Sequence, residues 1–132
     1  MKVTLDVGEM EACRALDAIV AEKIHGWTDI SISPTPYHPS RARDTGGVLV
    51  DLPYYSTRIA DAWYVAERVA HFPFAGYGAR LVITLFDSGC VHAWFCMRDS
   101  DDVLFKGVAE TAPLAICRAA LKASERELER TS

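Results

Sequence analysis

No stretch of this chain approaches the roughly 20 consecutive apolar residues that a membrane-spanning helix needs. The start, Met1-Lys-Val-Thr-Leu-Asp-Val7, carries an acid inside its apolar stretch and no small-residue cleavage pattern, so no secretory signal is expected. Cysteine is scarce and badly spaced for metal. The four thiols, Cys13, Cys90, Cys96 and Cys117, contain no pair two to four residues apart, the spacing that a small zinc site draws from tight turns. Without export they are expected to be reduced and to act as small hydrophobes. Also missing are a glycine-rich phosphate loop, a His-Glu-x-x-His helix and a nucleophile elbow. Asp99-Ser-Asp-Asp102 lacks the glycine and closing glutamate of a calcium loop and reads as a solvated turn. No metal or other cofactor is expected. Basic residues are in deficit as well. Lys and Arg number 14 against 18 Asp and Glu, a net charge of −4, which argues against a protein that neutralises many phosphates. Nucleic acid is therefore not an expected partner.

What remains is ordinary globular material. At 132 residues, half of them hydrophobic, the chain fits one domain able to bury a core without metal or disulfide. Val3, Leu5 and Val7 alternate with polar residues, as in a short strand. Cys13, Leu16, Ile19/Val20 and Ile24 recur at helical spacing, and Gly26 stands where a left-handed C-terminal residue is wanted, with Trp27 placed to fold back over the last turn. Ile30 and Ile32, then Val48 and Val50, alternate around a Pro/Gly-rich segment at 34–47. That pattern fits either a hairpin with a long flexible tip or one continuous loop. A second helix is expected from Ser56 or Thr57, whose hydroxyls can cap it, with Ile59, Ala62/Trp63, Ala66 and Val69/Ala70 inward and Pro73 as its stop.

Arg80–Phe86 and Cys90–Met97 are β-rich runs around Asp87-Ser-Gly89 and predict a hairpin over 80–97. Both faces of these strands are largely apolar, and a sheet apolar on both faces needs cover on both. The expected fold is thus α+β, an antiparallel sheet with helices on each side in a three-layer α/β/α sandwich. Val103-Leu-Phe105 suggests a third strand. A last helix follows from Thr111, with Pro113 in its first turn and Leu114, Cys117, Leu121, Ser124 and Leu128 inward. The polar tail from Glu125 is expected to fray.

Chemistry is harder to find than structure. Cys90 and His92 share strand parity and could form a nucleophile pair, so a cysteine-dependent enzyme is one alternative, though no nucleophile motif surrounds them. Cys96 would lie about 14 Å from His92 on a regular strand, too far to share an ion. The preferred reading packs these thiols and the imidazole beneath a helix. Helix starts offer more. Tyr54-Tyr55-Ser56-Thr57-Arg58 gathers two rings, two hydroxyls and a guanidinium at one N-terminus, where free N–H groups favour anions. Thr111, with Arg118 two turns on, repeats the theme. Trp27 is a further candidate for contact with a ligand or partner.

Three segments, taken in order, resemble a known family. They are Arg14-Ala-Leu-Asp-Ala-Ile-Val-Ala-Glu-Lys-Ile-His-Gly-Trp27, Tyr55-Ser-Thr-Arg-Ile-Ala-Asp-Ala-Trp63 and Glu110-Thr-Ala-Pro-Leu-Ala-Ile-Cys-Arg-Ala-Ala-Leu-Lys122. Together they are similar to the phage ABA sandwich domain family of phage and prophage proteins. The resemblance implies helices on both sides of a sheet and carries over no catalytic residue. It leads us to expect a non-catalytic accessory protein in the cytoplasm of the bacterial host. Its expected partner is a host or phage protein, as for an antagonist of a bacterial defence system. A nucleotide-like anion at the helix starts is the alternative ligand, and pairing into a homo-oligomer is a further expectation.

Overall fold

The computed structural model describes residues 11–35, 37–71, 79–97 and 103–131. The elements run α1 (Arg14–Lys23), β1 (Thr28–Ser31), β2 (Arg41–Arg43), β3 (Leu49–Asp51), α2 (Ile59–Ala70), β4 (Ala79–Leu85), β5 (Val91–Met97), β6 (Val103–Ala109) and α3 (Ala112–Thr131). Among the described residues they form an α+β fold with two three-stranded antiparallel sheets, ordered β1-β2-β3 and β4-β5-β6. The expected strand at Val3–Val7, the stop at Pro73 and the turn at Asp99–Asp102 lie outside the described residues.

The β4–β5 hairpin forms where the sequence predicts it. Gly89 takes φ +83°, the left-handed conformation that the turn requires, and the Phe86 and Cys90 backbones close above it at 2.9 Å. The register then runs without a break from Leu85↔Val91 to Ala79↔Met97. β6 is longer than Val103–Phe105. It continues to Ala109 and pairs Ala109 with Val91 and Gly107 with Ala93.

Small residues decide how close the last helix comes to this sheet. A Cβ added to Gly107 would stand 2.2 Å from the Ala115 carbonyl oxygen and 2.5 Å from the Ala119 nitrogen. The backbone of α3 therefore rests directly on β6, and only glycine fits beneath it. The apolar core joins this face of the sheet (Ala79, Leu81, Val91, Ala93, Phe95, Phe105, Ala109) to the buried side chains of all three helices. Helix α3 is buried on almost every side because β5, β6, α2 and α1 all pack against it. This is why Ala115, Ala119, Ala120 and Ala123 are covered along with the expected stripe of Leu114, Cys117, Leu121 and Ser124. The tail does not fray at Glu125: the helix runs on to Thr131.

The opposite face of the sheet is differently furnished. Phe86, His92 and Trp94 form a chain of ring contacts at 4.4 and 5.5 Å, and Lys106 Nζ approaches the Trp94 ring to 5.8 Å. His92 is thus held between two aromatic rings and not packed beneath a helix, which corrects that expectation. A third layer over this face is not fixed by the described contacts, since the helices join the core through the first face.

Residues 28–52 form neither a simple hairpin nor a bare loop. A third strand, β2, lies between the two expected ones, with Ala42 fully buried. The turn from β2 to β3 is built by Asp44. Its side chain accepts from the Gly46 and Val48 N–H groups at 2.9 and 3.0 Å, and Gly47 adopts φ +80°. The loop predicted over 34–47 therefore gives up its second half to a strand and a tight turn. Two other details differ from the sequence pattern. Helix α1 starts at Arg14, so Cys13 is its exposed N-cap, its sulfur accepting from the Leu16 N–H at 3.4 Å. In α2, Val65 and not Trp63 joins the inward stripe.

Replacing Gly107 with alanine should cost about 3 kcal/mol, because α3 must rise off the sheet to admit one methyl group. Urea unfolding of G107A is the measurement, with Gly46→Ala, whose added methyl group meets only the Asp44 side chain at 3.4 Å, as the control.

Candidate functional site

The segment 52–58, between β3 and α2, is held by a buried carboxylate. Asp17 lies on α1 with only 1% of its surface exposed. One of its oxygens accepts from the Ser56 hydroxyl at 2.7 Å and the Ser56 N–H at 2.8 Å. The other accepts from Arg14 Nη1 at 2.7 Å. Arg14 also donates to the Pro53 and Leu52 carbonyl oxygens. A buried charge is tolerable only when paired and fully hydrogen-bonded, and here both conditions hold. The network ties the first turns of α1 to the chain leading into α2.

That tie determines which candidates reach the surface. Tyr55 is buried, 1% exposed, and stacks on His25 at 5.1 Å with Trp27 edge-on at 6.4 Å. Burial first, then the charges of Asp61 and Asp17, push its hydroxyl well above the usual tyrosine range. Ser56 is fully buried and spent on Asp17 and the Cys13 carbonyl. Neither is placed to meet a ligand, and neither Ser56 nor Thr57 caps the helix. Helix α2 starts later, at Ile59, with Arg58 at the N-cap position and no side-chain cap. The Asp17 bonds hold Ser56 against α1, two residues before the N-cap position of α2.

Three candidates stay accessible here. Tyr54 is 39% exposed, with the Arg14 guanidinium carbon 3.9 Å and the Arg58 guanidinium carbon 4.0 Å from its ring centre. Its N–H donates to Asp61 Oδ2 at 2.8 Å. Thr57 and Arg58 are exposed beside it. The surface then continues along α2 through Ile59, Trp63 and Tyr64, which are 50%, 52% and 61% exposed. Sequence periodicity pointed Ile59 and Trp63 inward and so missed this surface. The signal available was the width of the apolar arc, since Ile59, Ala62, Trp63, Val65, Ala66 and Val69 cannot all face one neighbour.

The other candidates sit apart. Trp27 is half-buried against His25 and borders a shallow groove with Glu22, Thr28, Asp29 and Ile30. Its N–H donates to the Ala21 carbonyl at 3.0 Å after Gly26 turns at φ +70°, as the expected helix cap requires. Thr111 is exposed, and its carbonyl accepts the first bond of α3 from Ala115. Arg118 is largely buried and donates to the Val108 carbonyl at 2.7 Å, with Glu11 3.8 Å away. With Cys90, Glu110, Leu114 and Lys122 it lines a groove of about 340 Å³ that does not include Thr111.

The thiols and imidazoles are dispersed. No hydrogen bond joins Cys90 to His92, and His92 Nδ1 is buried without a partner. Burial, then the charge of Asp17, pushes the Cys117 thiol well above the usual range, leaving it a packing residue. No group of His, Cys, Asp and Glu among the described residues could hold a metal ion, and no described helix is long and apolar enough to cross a membrane.

Two outcomes follow from this network. Asp17→Ala should destabilise the fold by about 3 kcal/mol, since it leaves the buried Ser56 N–H without its acceptor and removes the carboxylate paired with Arg14; chemical denaturation measures it. His25 is lowered from 6.5 to about 4, first by burial and then by the Arg68 charge, so it is neutral in the fold. Below pH 6.5 the unfolded chain takes up a proton that the folded chain refuses until about pH 4. Stability should therefore fall across that window and level off beneath it, by about 1–2 kcal/mol once solvent screening of the partly exposed ring is allowed for. His25→Phe should flatten this segment of the stability-against-pH curve.

A search of curated proteins gives no match to this chain. The fold is similar to that of a phage protein from Bacillus cereus ATCC 14579, known from a 2.0 Å crystal structure. That likeness has a TM-score of 0.58 and 23% identity, and covers 95% of this chain and 94% of the other; at this identity it speaks for the fold alone. Residues 18–121 match the phage ABA sandwich domain, a span that begins inside α1, includes the Asp61-bearing start of α2 and ends inside α3. The segments that carry the resemblance are thus the ones that the fold draws together around α3, and the chain belongs to the phage ABA sandwich domain family.

Proposed function

We propose that this domain is a non-catalytic phage accessory protein that binds a protein of the infected bacterium, as an antagonist of a host defence system would. The observation that carries the reading is the apolar surface of α2: Ile59, Trp63 and Tyr64 are half or more exposed on a helix whose other side is tightly packed. Large hydrophobic side chains grouped at the surface mark interaction sites, and Trp, Tyr and Arg are the residue types in which interfaces concentrate their energy. Tyr54 and Arg58 continue that composition at the start of the helix. The Asp17 network favours the same reading, because a prepaid, rigid surface binds without the cost of ordering itself. The 34–47 segment adds Tyr37, 89% exposed, as a second point of contact.

A nucleotide-like anion at the start of α2 is the second reading. It is favoured by the missing side-chain cap, which leaves first-turn N–H groups open beside Arg58 and the Tyr54 ring. Asp61 in that turn works against it. A cysteine-dependent activity has no geometric support, since nothing orients His92 toward Cys90.

Affinity capture from host extract, followed by binding measurements on the recovered protein, tests the first reading. Trp63→Ala and Tyr64→Ala should each weaken binding by about 2 kcal/mol, roughly 30-fold, with little change in melting temperature. Undiminished binding by both variants would remove α2 from the interface. A thermal shift with a nucleotide panel tests the second: a ligand at a hundred times its dissociation constant adds about 2.7 kcal/mol.

A further inference from the structure

Among the described residues the β4-β5-β6 sheet ends in two edges, β4 and β6, and they are treated differently. At the β6 edge, Arg118 Nη1 donates to the Val108 carbonyl at 2.7 Å and Lys122 Nζ donates to the Lys106 carbonyl at 2.8 Å. Two cations from consecutive turns of α3 thus occupy acceptors that point away from β5. The β5–β6 register also shifts at Phe95/Cys96. Cationic side chains and irregular register are the devices by which proteins keep an edge from pairing with another chain.

The β4 edge carries one cation, Arg80, and shows no register shift against β5. Its seven residues pair with β5 in unbroken register, and they include no proline, no lysine and no acid. Ile83 is 40% exposed and Leu85 74% exposed, although both lie on the face that carries the core. They stay open because α3 covers β5 and β6 and reaches β4 little.

We propose that β4 is the pairing edge for a second copy of this chain, joined antiparallel about a two-fold axis to give one continuous sheet. A strand turned on itself in this way is self-complementary, as an isologous interface must be. Centred on Val82, the pairing sets Ile83 opposite the partner copy's Leu81, and Leu85 opposite its Ala79. All four lie on the core-bearing face, so the exposed Ile83 and Leu85 are laid against the partner copy's partly buried Leu81 and buried Ala79. Arg80, the one charge in the strand, then faces a threonine at position 84 and not its own copy. A guarded edge on one side and an unguarded one on the other also limits assembly to two copies, where two open edges would propagate. The pairing residues belong to β4 and not to α2, although α2 packs on β4.

Sedimentation and light scattering on the full chain, from micromolar to millimolar concentration, test it. The unmodified protein should be a dimer. Leu85→Lys and Ile83→Lys should each raise the dissociation constant by about tenfold or more, and the double variant should be monomeric. Trp63→Lys, on exposed α2, should leave the dimer intact. Amide exchange gives a readout independent of the variants: β4 protection should rise with protein concentration while β6 protection stays constant. A chain monomeric throughout, a dimer that survives both lysines, or one that Trp63→Lys dissociates would overturn the proposal.

Discussion

Everything in this fold hangs on how closely α3 can approach β6. Contact at Gly107 is backbone against backbone, and the helix offers Ala115 and Ala119 at that point. Bulk there would lift the helix, and every element that packs on α3 would lose its seat. The helix is correspondingly short of large residues over its middle turns, where Ala115, Ala119, Ala120 and Ala123 are all buried. Close approach trades side-chain volume for many short backbone contacts, which adds up because dispersion is strongest at contact distance. From this seat α3 also sends Arg118 and Lys122 onto the β6 edge, so one helix both fills the core and closes a side of the sheet.

A second constraint is electrostatic. Asp17 joins α1 to the 52–56 segment through Arg14 and Ser56, all three groups being satisfied by one another. Its effect reaches beyond stability. The bonds from Asp17 pin Ser56 to α1, α2 starts beyond it at Ile59 without a side-chain cap, and Tyr54 and Arg58 stay exposed beside the pinned segment. The surface available for binding is therefore a consequence of how a buried charge is compensated. The aromatic cluster of His25, Trp27 and Tyr55 fills the space behind that segment and keeps His25 neutral by excluding water.

The membership of the phage ABA sandwich domain family places the chain among phage proteins but names no chemistry. The proposed binding of another protein would be the work of the domain's exterior. Its thiols are scattered, with Cys117 held as a neutral packing residue. Its polar network is inward and structural. Among the described residues, large apolar side chains stand exposed on the outer side of α2 and on β4, among other places. These lie on different elements, which leaves room for self-association and binding of another protein to coexist.

Local rules read well from this sequence, and long-range ones do not. The β4–β5 hairpin, the Gly26–Trp27 helix cap, the start of α3 and the α+β class were all determined by residues adjacent in the chain, because turn chemistry and periodicity act over a few residues. The same local reasoning misled where a distant group intervened. Ser56 has the character of a cap, yet Asp17, 39 residues away, claims it. Trp63 has the character of a core residue, yet the arc it lies on is wider than the face α3 can cover. Ala42 sits in a segment rich in turn formers, yet β1 and β3 on either side recruit it into a strand. Gly107 looked unremarkable until α3 lay across it. The sequence by itself settled the three helices and the β4–β5 hairpin; tertiary structure alone decided which polar groups were consumed and which surfaces stayed bare, because both depend on partners that only folding brings within a few ångströms.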